Sequence, residues 1–169
     1  MSRRRQWLVG GVAVAAAGAG LVLSLRRSPP PDDGLWSLHF PTPDGGDLAM
    51  ASFRGRPLVL NFWATWCPPC VREMPVLDRF GKDWADRGWQ VLGLAIDNAA
   101  AVREFLRRTP VAFPIGLAGF DGTALARSLG NQTGGLPYTV VFDAAGEIRQ
   151  RKAGETTATE LETWARHPD

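Results

Sequence analysis

The feature that most constrains the fold is a change of periodicity in the first half of the chain. Residues 57–63, PLVLNFW, form a short apolar run rich in branched and aromatic residues, which is typical of a strand buried on both faces. From Pro68 onward the apolar residues recur at steps of three and four, which predicts an amphipathic helix. A second apolar run, WQVLGLAI, follows at residues 89–96. Two buried strands joined by a helix predict a parallel, right-handed βαβ unit.

The segments on either side of this unit also have recognisable patterns. A hairpin or two short edge strands are favoured around the turn-rich PTPDGG stretch, and the last helix should begin with a capping box of Thr157 and Glu160. Large apolar side chains outside the motif, among them Trp84, Trp89, Phe105 and Trp164, are expected in the core. The other predicted elements are a helix at 99–108, a short strand at 113–115, a short helix at 124–129 ended by Gly130, and an antiparallel hairpin of 138–142 with 147–152.

The first 27 residues differ in composition from the rest. Residues 7–25 carry no charge, and a helix of that length comes close to a hydrocarbon layer of roughly 30 Å. Three arginines precede this run and two follow it, so the positive-inside rule leaves the N-terminus in the cytoplasm. We therefore predict a single-pass inner-membrane anchor within residues 1–27, a proline-rich linker at 28–34 and a periplasmic domain at 35–169. A signal peptide cleaved near residues 17–19 is the alternative.

The formal charge of +2 hides an asymmetry between the two parts of the chain. Residues 1–27 hold five of the 19 basic residues and none of the 17 acidic ones. The remainder therefore carries 14 basic and 17 acidic side chains and is slightly acidic. Such a surface offers no electrostatic footprint for nucleic acid, so we expect no nucleic-acid partner.

Both cysteines of the chain, Cys67 and Cys70, stand in the stretch NFWATWCPPC, where the first buried strand ends and the helix begins. A purely structural disulfide across such a short loop would stabilise the fold by only about 2 kcal/mol. A zinc or copper site would need further ligands, and His39 and His167 lie far away in the sequence without a ligand pattern. The third interpretation is redox chemistry, because the dipole and free amides of a helix start stabilise a thiolate.

In the redox interpretation, Cys67 is the exposed nucleophile and Cys70, one turn into the helix, is the resolving thiol. Pro68 suits the first helical turn, where its missing N–H costs little. Since neither Pro68 nor Pro69 can donate a hydrogen bond, the amide of Cys70 is the main local donor to the Cys67 sulfur. We expect a less stabilised thiolate than in strong oxidants, which favours a reductase. Oxidase or isomerase activity would be distinguished from it by the reduction potential.

The W-C-P-P-C motif between a buried strand and an amphipathic helix resembles the thioredoxin superfamily. The likeness is greatest to its TlpA/ResA/CcmG branch of membrane-anchored periplasmic thiol-disulfide oxidoreductases, and it covers nearly all of residues 45–155. The resemblance implies a thioredoxin-like α/β fold, in which a mixed four- to five-stranded sheet is flanked by helices in the order βαβ then ββα, with an insertion around residues 97–119. The similar stretches are GRPLVLNFWATWCPPCVREMP, VLGLAID, FPIGL and GLPYTVVFDAAGEIRQRKAGE.

The resemblance also implies a substrate-binding surface beside the cysteines. Leu136-Pro137 is the counterpart of the family's cis-proline loop, in which the backbone of the residue before the proline pairs with the substrate chain. Pro137 also directly precedes a predicted strand, and this position is compatible with a cis bond independently of the resemblance. Trp66 and Pro68 are expected to form an apolar rim around Cys67.

A third implied site residue is Glu73, which matches the acid of the branch's CxxCxxE pattern. It lies on the same side of the helix as Cys70, and a partly buried carboxylate there would have a raised pKa and relay a proton for that thiol. Asn61 takes the place of a buried aspartate in thioredoxin and cannot titrate. The alternative for Glu73 is a solvated acid that pairs with Arg72 or Arg79.

The resemblance implies a protein-disulfide reductase without a cofactor beyond the Cys67–Cys70 disulfide and without a metal. Its clients would be disulfides of exported proteins, such as apocytochrome c or copper-site maturation proteins. Its electrons would come from a membrane thiol transporter of the DsbD or CcdA type. Two alternatives are a copper metallochaperone, which needs a third ligand, and a peroxiredoxin-like peroxidase, whose P-x-x-x-T-x-x-C pattern would require other residues at Leu60 and Ala64.

Overall fold

The structure is a computed structural model, and it describes residues 34–167 of the chain. The predicted anchor at residues 7–25 and the predicted linker up to residue 33 lie outside these residues. Within the described range no helix combines the length and apolar character that a membrane crossing requires.

The chain forms short strands that alternate with helices, as the changes of periodicity predict. Two 3-10 turns, Met50–Phe53 and Ala85–Arg87, connect some of them. In chain order the elements are β1 (His39–Pro41), β2 (Asp47–Ala49), β3 (Leu58–Trp63), α1 (Pro68–Asp83), β4 (Gln90–Ala95), α2 (Ala99–Arg108), β5 (Ile115–Leu117), α3 (Gly122–Ser128), β6 (Tyr138–Phe142), β7 (Ile148–Ala153) and α4 (Ala158–Arg166).

The central feature is a five-stranded mixed sheet in the order β5-β4-β3-β6-β7. Strands β3, β4 and β5 are parallel, whereas β6 is antiparallel to β3 and β7 is antiparallel to β6. Strands β1 and β2 form a separate antiparallel pair, which confirms the predicted hairpin. The predicted mixed sheet, with βαβ first and ββα last, is therefore confirmed, and β3 lies at its centre.

Each face of the sheet carries its own apolar cluster, which explains why β3 is apolar throughout. On one face Val59 and Trp63 pack with the buried sides of α1, α2 and α4. On the other face Leu58, Leu60 and Phe62 pack with α3 and with the residues around β1 and β2. A strand covered on both faces has no position for solvated side chains. Asn61 is the buried polar residue of β3, and it points to the functional site described below.

Three details differ from the sequence predictions. Strand β5 occupies Ile115–Leu117 rather than residues 113–115, since Pro114 lacks an N–H and cannot donate within a ladder. Helix α3 begins two residues early at Gly122, where a Cβ would lie 2.6 Å from the Cβ of Ala118, so only glycine fits. Trp164 is half-buried at the margin of its cluster, whereas the other predicted core aromatics are buried.

Candidate active site

The two cysteines lie at the junction of β3 and α1 and are joined by a disulfide bond. Cys67 is the N-cap of α1 and Pro68 is the first residue of the helix. The amide of Cys70 donates a hydrogen bond to the Cys67 sulfur over 3.3 Å, as the two prolines lead one to expect. The sulfur of Cys67 therefore lies at the positive end of the helix dipole, where a thiolate is stabilised after reduction.

The structure corrects the expectation that Cys67 is exposed. In this disulfide-bonded state Cys67 retains 4% of its surface and Cys70 retains none. The bond holds the Cys67 sulfur against Cys70, and both residues pack into the apolar cluster around α1. Cys67 is still the more accessible residue of the pair, in agreement with the predicted order of attack.

The rim of the site carries an exposed aromatic side chain. Trp66 is 65% exposed directly before Cys67, and Pro68 is exposed directly after it. The other large apolar side chain that is exposed among residues 34–167 is Phe120, which follows β5 at the same edge of the sheet. The predicted apolar rim therefore has its residues at the surface beside the thiols.

The loop opposite the disulfide contains a cis peptide bond between Leu136 and Pro137. Strand β6 pairs with β3 so that Tyr138 lies opposite Phe62, which brings this loop to the end of β3 where Cys67 begins the helix. The carbonyl of Pro137 accepts a hydrogen bond from Gly154. In the described part of the chain, no hydrogen bond uses the backbone N–H or C=O of Leu136.

Glu73 lies one turn after Cys70 and is fully buried. Its Oε1 accepts a hydrogen bond from Asn61 Nδ2 at 2.7 Å, and its Oε2 accepts one from the amide of Thr156 at 2.7 Å. The alternative of a solvated acid is therefore wrong. Arg72 instead forms an ion pair with Glu155 at the surface.

Burial raises the pKa of Glu73 from 4.5 to about 7. Desolvation is the largest cause, and the negative charge of Glu155 adds to it, whereas the hydrogen bonds from Thr156 and Asn61 oppose it. This direction agrees with the predicted increase. A group with this pKa exchanges its proton close to neutral pH, which is the property that a general base for Cys70 requires.

Two threonines complete the buried polar cluster around Glu73. Thr139 Oγ1 accepts a hydrogen bond from Asn61 Nδ2 at 3.0 Å and lies 3.1 Å from Thr156 Oγ1. Asn61 Oδ1 has no partner although it is buried. A flip of the Asn61 side-chain amide would present this oxygen to Glu73 as an acceptor. The amide can therefore donate a hydrogen bond to the carboxylate or accept one from the protonated acid.

Sequence reasoning missed Asp97, which fixes the loop that leads to Cys67. Its Oδ2 accepts hydrogen bonds from the backbone N–H of Thr65 at 3.0 Å and from the Thr65 hydroxyl at 2.6 Å. Asp97 follows β4, the parallel neighbour of β3. The carboxyl ends of parallel strands meet at one edge of the sheet, and that signal could have placed Asp97 near the cysteines.

Among the described residues, the side chains that could ligate a metal are not gathered into one group. His39 lies on the separate β1–β2 pair, where its Nδ1 is 2.7 Å from Asp47 Oδ2. Within residues 34–167, no group of three or more His, Cys, Asp or Glu side chains is arranged to hold a metal ion.

Comparison with known proteins gives consistent similarities over the described domain. The Redoxin family profile matches residues 31–164. A thiol-disulfide oxidoreductase ResA from Bacillus thuringiensis subsp. konkukian is 29% identical over 122 residues, which cover 72% of this chain and 68% of the relative.

Solved structures show the same similarity. A thiol:disulfide interchange protein of the thioredoxin family from Chlorobium tepidum TLS superposes with a TM-score of 0.70 at 26% identity, covering 78% of this chain and 92% of the other. A thioredoxin-related protein from Neisseria meningitidis serogroup B gives a TM-score of 0.66 at 30% identity, with coverages of 75% and 96%. The architecture is therefore thioredoxin-like.

Proposed function

Because the chain belongs to the Redoxin family and is a thiol-disulfide oxidoreductase of the ResA type, we propose that it acts as a dithiol reductase of disulfides in exported proteins. The observation that carries this proposal is the disulfide of Cys67 and Cys70 at the start of α1. The Cys67 sulfur accepts a hydrogen bond from the amide of Cys70, and the two prolines between them add no N–H donor. A thiolate with so few donors is a stronger reductant than one with many, because its ionised form is less stabilised.

The proposed reaction transfers two electrons from the enzyme to its client. In the reduced enzyme the Cys67 thiolate attacks one sulfur of the client disulfide, and the other client sulfur leaves as a thiolate that takes up a proton. Glu73 then removes the proton of Cys70, and the Cys70 thiolate attacks the Cys67 sulfur. The Cys67–Cys70 disulfide forms, the second client sulfur leaves as a thiolate, and Glu73 releases its proton.

The client is proposed to bind across the rim and the cis-proline loop. The free N–H and C=O of Leu136 can pair with an extended client segment, as an added strand pairs with a sheet edge. Pro137 fixes the backbone that follows, and Trp66 with Pro68 provides apolar surface next to Cys67. This arrangement recognises the client mainly through its backbone, which suits clients of different sequence.

We further propose that residues 7–25 anchor the protein in the inner membrane with the catalytic domain in the periplasm. The uncharged run, flanked by three arginines before it and two after it, supports this orientation. A membrane thiol transporter of the DsbD or CcdA type would return two electrons to the Cys67–Cys70 disulfide. Apocytochrome c and copper-site maturation proteins are the proposed clients.

Trapping of mixed disulfides tests the proposed function. Cys70→Ser leaves Cys67 able to attack but removes the resolving thiol, so clients should remain covalently attached through Cys67. Cys67→Ser is the matched control and should trap none, although it also retains one cysteine. Non-reducing gels of cells that express each variant, followed by mass spectrometry, give the readout. Equal trapping by both variants would contradict the assigned order of attack.

A further inference from the structure

The segment between α3 and the cis-proline has a defined path although it contains no helix or strand. Its organising residue is Asn131, which retains only 3% of its surface. The side chain donates from Nδ2 to the carbonyl of Gly135 over 2.8 Å and accepts at Oδ1 from the amide of Gly134 over 3.1 Å. The backbone N–H of Asn131 donates to the carbonyl of Ala126 in α3. The side chain of Asn131 therefore holds the end of the loop, and the backbone of the same residue ties it to the preceding helix.

The two glycines held by Asn131 cannot define this path themselves. Gly134 has a φ of +69°, a conformation that glycine adopts without steric cost, and Gly135 follows it directly. Glycine also gives the chain the greatest conformational freedom, so two in succession would let the next peptide group move. That next residue is Leu136, whose N–H and C=O have no partner in the described part of the chain.

We propose that Asn131 is a positioning residue for client binding, because it fixes Gly134 and Gly135 so that the free peptide groups of Leu136 face an extended client segment. This inference rests on the proposed function. Asn131 touches neither sulfur, so it should affect binding of a polypeptide client but not the chemistry of the thiols. A small disulfide without a peptide backbone should not depend on Asn131.

The decisive variant is Asn131→Asp, which keeps the acceptor for Gly134 but replaces the donor to Gly135 with a second acceptor. The matched control is Gln132→Glu, which adds the same charge to the same loop at an exposed residue whose side chain makes no hydrogen bond in the described structure. Each reduced protein is assayed with a synthetic peptide that contains an internal disulfide and with Ellman's reagent, which has no peptide groups.

For Asn131→Asp we expect KM for the peptide to increase about tenfold, as for the loss of one well-formed hydrogen bond. We expect kcat for the peptide and the rate with Ellman's reagent to stay within about twofold of the wild type. Gln132→Glu should match the wild type with both substrates. An equal loss with both substrates, or an unchanged KM in Asn131→Asp, would overturn the proposal.

Amide hydrogen exchange in the oxidised protein provides a readout that needs no turnover. In Asn131→Ala the amide of Gly134 should exchange faster than in the wild type, because it loses the Oδ1 acceptor at 3.1 Å and keeps only the backbone carbonyl of residue 131 at 3.2 Å, while the amide of Cys70 stays protected by the Cys67 sulfur. Unchanged protection of Gly134 would overturn the proposal.

Failure of the proposed function can be distinguished from failure of this inference. A wild-type protein that reacts with Ellman's reagent but leaves the peptide disulfide intact would contradict the proposed function. The exchange at Gly134 would still decide whether Asn131 holds the loop.

Discussion

At the residue scale, Glu73 is the side chain whose environment differs most from that of a free acid. Its burial and its position one turn after Cys70 are the reasons why we propose it as the base in the resolving step. Above a pH of about 7 the carboxylate is free to accept the Cys70 proton, and below that pH it is already protonated. The rate of resolution should therefore increase as the pH rises through this value.

We predict that Glu73→Gln slows resolution of the mixed disulfide by about 100-fold above neutral pH, because an amide cannot act as a base. The increase in rate near the pKa of Glu73 should disappear. Stopped-flow measurement of client release from a preformed Cys67 mixed disulfide gives this rate directly. In the control Glu155→Gln the increase in rate should persist but should occur at a lower pH, since removal of a neighbouring negative charge lowers the pKa of Glu73. A wild-type profile in Glu73→Gln would exclude Glu73 as the base.

The same pKa predicts how stability depends on pH. The pKa of Glu73 is raised from 4.5 to about 7 in the folded protein, so the folded state retains a proton that the unfolded chain has lost. The stability contributed by this bound proton is complete below about pH 4.5 and is lost as the pH rises through about 7. The total loss is about 3 kcal/mol.

We therefore predict that the free energy of unfolding of the wild type falls relative to that of Glu73→Gln between about pH 4.5 and 7. The amide stands in for the protonated acid and does not titrate. Urea denaturation of both oxidised proteins across this range measures the difference. In the control, the difference in free energy of unfolding between the wild type and Glu162→Gln, a substitution at an exposed position of α4, should not change across this pH range. A constant difference between wild type and Glu73→Gln would contradict the raised pKa.

At the element scale, helix α1 sets the reactivity of the thiols through its first turn. Pro68 and Pro69 remove two N–H groups from the end of the helix that faces the Cys67 sulfur. Among the residues described, the donor to that sulfur is the amide of Cys70. The number of donors available at this turn should therefore control the reduction potential.

We predict that Pro69→His raises the reduction potential by about 30 mV or more, which corresponds to a tenfold change in the equilibrium constant. The substitution restores an N–H and adds a side chain that can carry positive charge, and both stabilise the Cys67 thiolate and hence the reduced form. Equilibration with glutathione buffers measures the potential. The control Pro75→Ala removes a proline from the same helix away from the sulfur and should leave the potential unchanged. A lower potential in Pro69→His would contradict this account of the motif.

The start of helix α4 is fixed by the capping box of Thr157 and Glu160, which the structure confirms. The neighbouring Thr156 donates its amide to Glu73, so this helix start also holds part of the buried cluster. We predict that Thr157→Ala lowers the free energy of unfolding by about 1 kcal/mol. Urea denaturation gives the value, and Thr159→Ala, whose exposed side chain makes no hydrogen bond in the described structure, is the control. Equal losses in both variants would argue against the cap.

The elements show which parts of the structure the sequence can predict. Strands β3 and β4, helix α1 and the hairpin of β6 and β7 were predictable, because each has enough residues to display its period. Strand β5 has three residues and follows Pro114, so its pattern is too short to fix its bounds. The buried partners of Glu73 were not predictable, since Thr156 lies 83 residues further along the chain and no local period links the two.

At the scale of the whole molecule, the functional groups come from distant parts of the chain but meet at one edge of the sheet. Cys67 follows β3, Asp97 follows β4 and the loop with Leu136 precedes β6, the antiparallel neighbour of β3. The order β5-β4-β3-β6-β7 brings these three segments side by side. The site therefore depends on the complete sheet rather than on the C-P-P-C motif alone.

The proposed place of the protein in an electron-transfer chain leads to a prediction for intact cells. A reductase leaves each turnover with its Cys67–Cys70 pair oxidised, so its steady-state thiol content depends on supply from the membrane. In a host that lacks its DsbD- or CcdA-type transporter, the full-length wild-type protein should accumulate in the disulfide form. Alkylation with a maleimide that shifts gel mobility reports the thiol state. An oxidase would behave in the opposite way, because it is reduced by its clients and would collect in the dithiol form when its own oxidant is absent. A pair that stays reduced without the transporter would therefore contradict the proposed direction of electron flow.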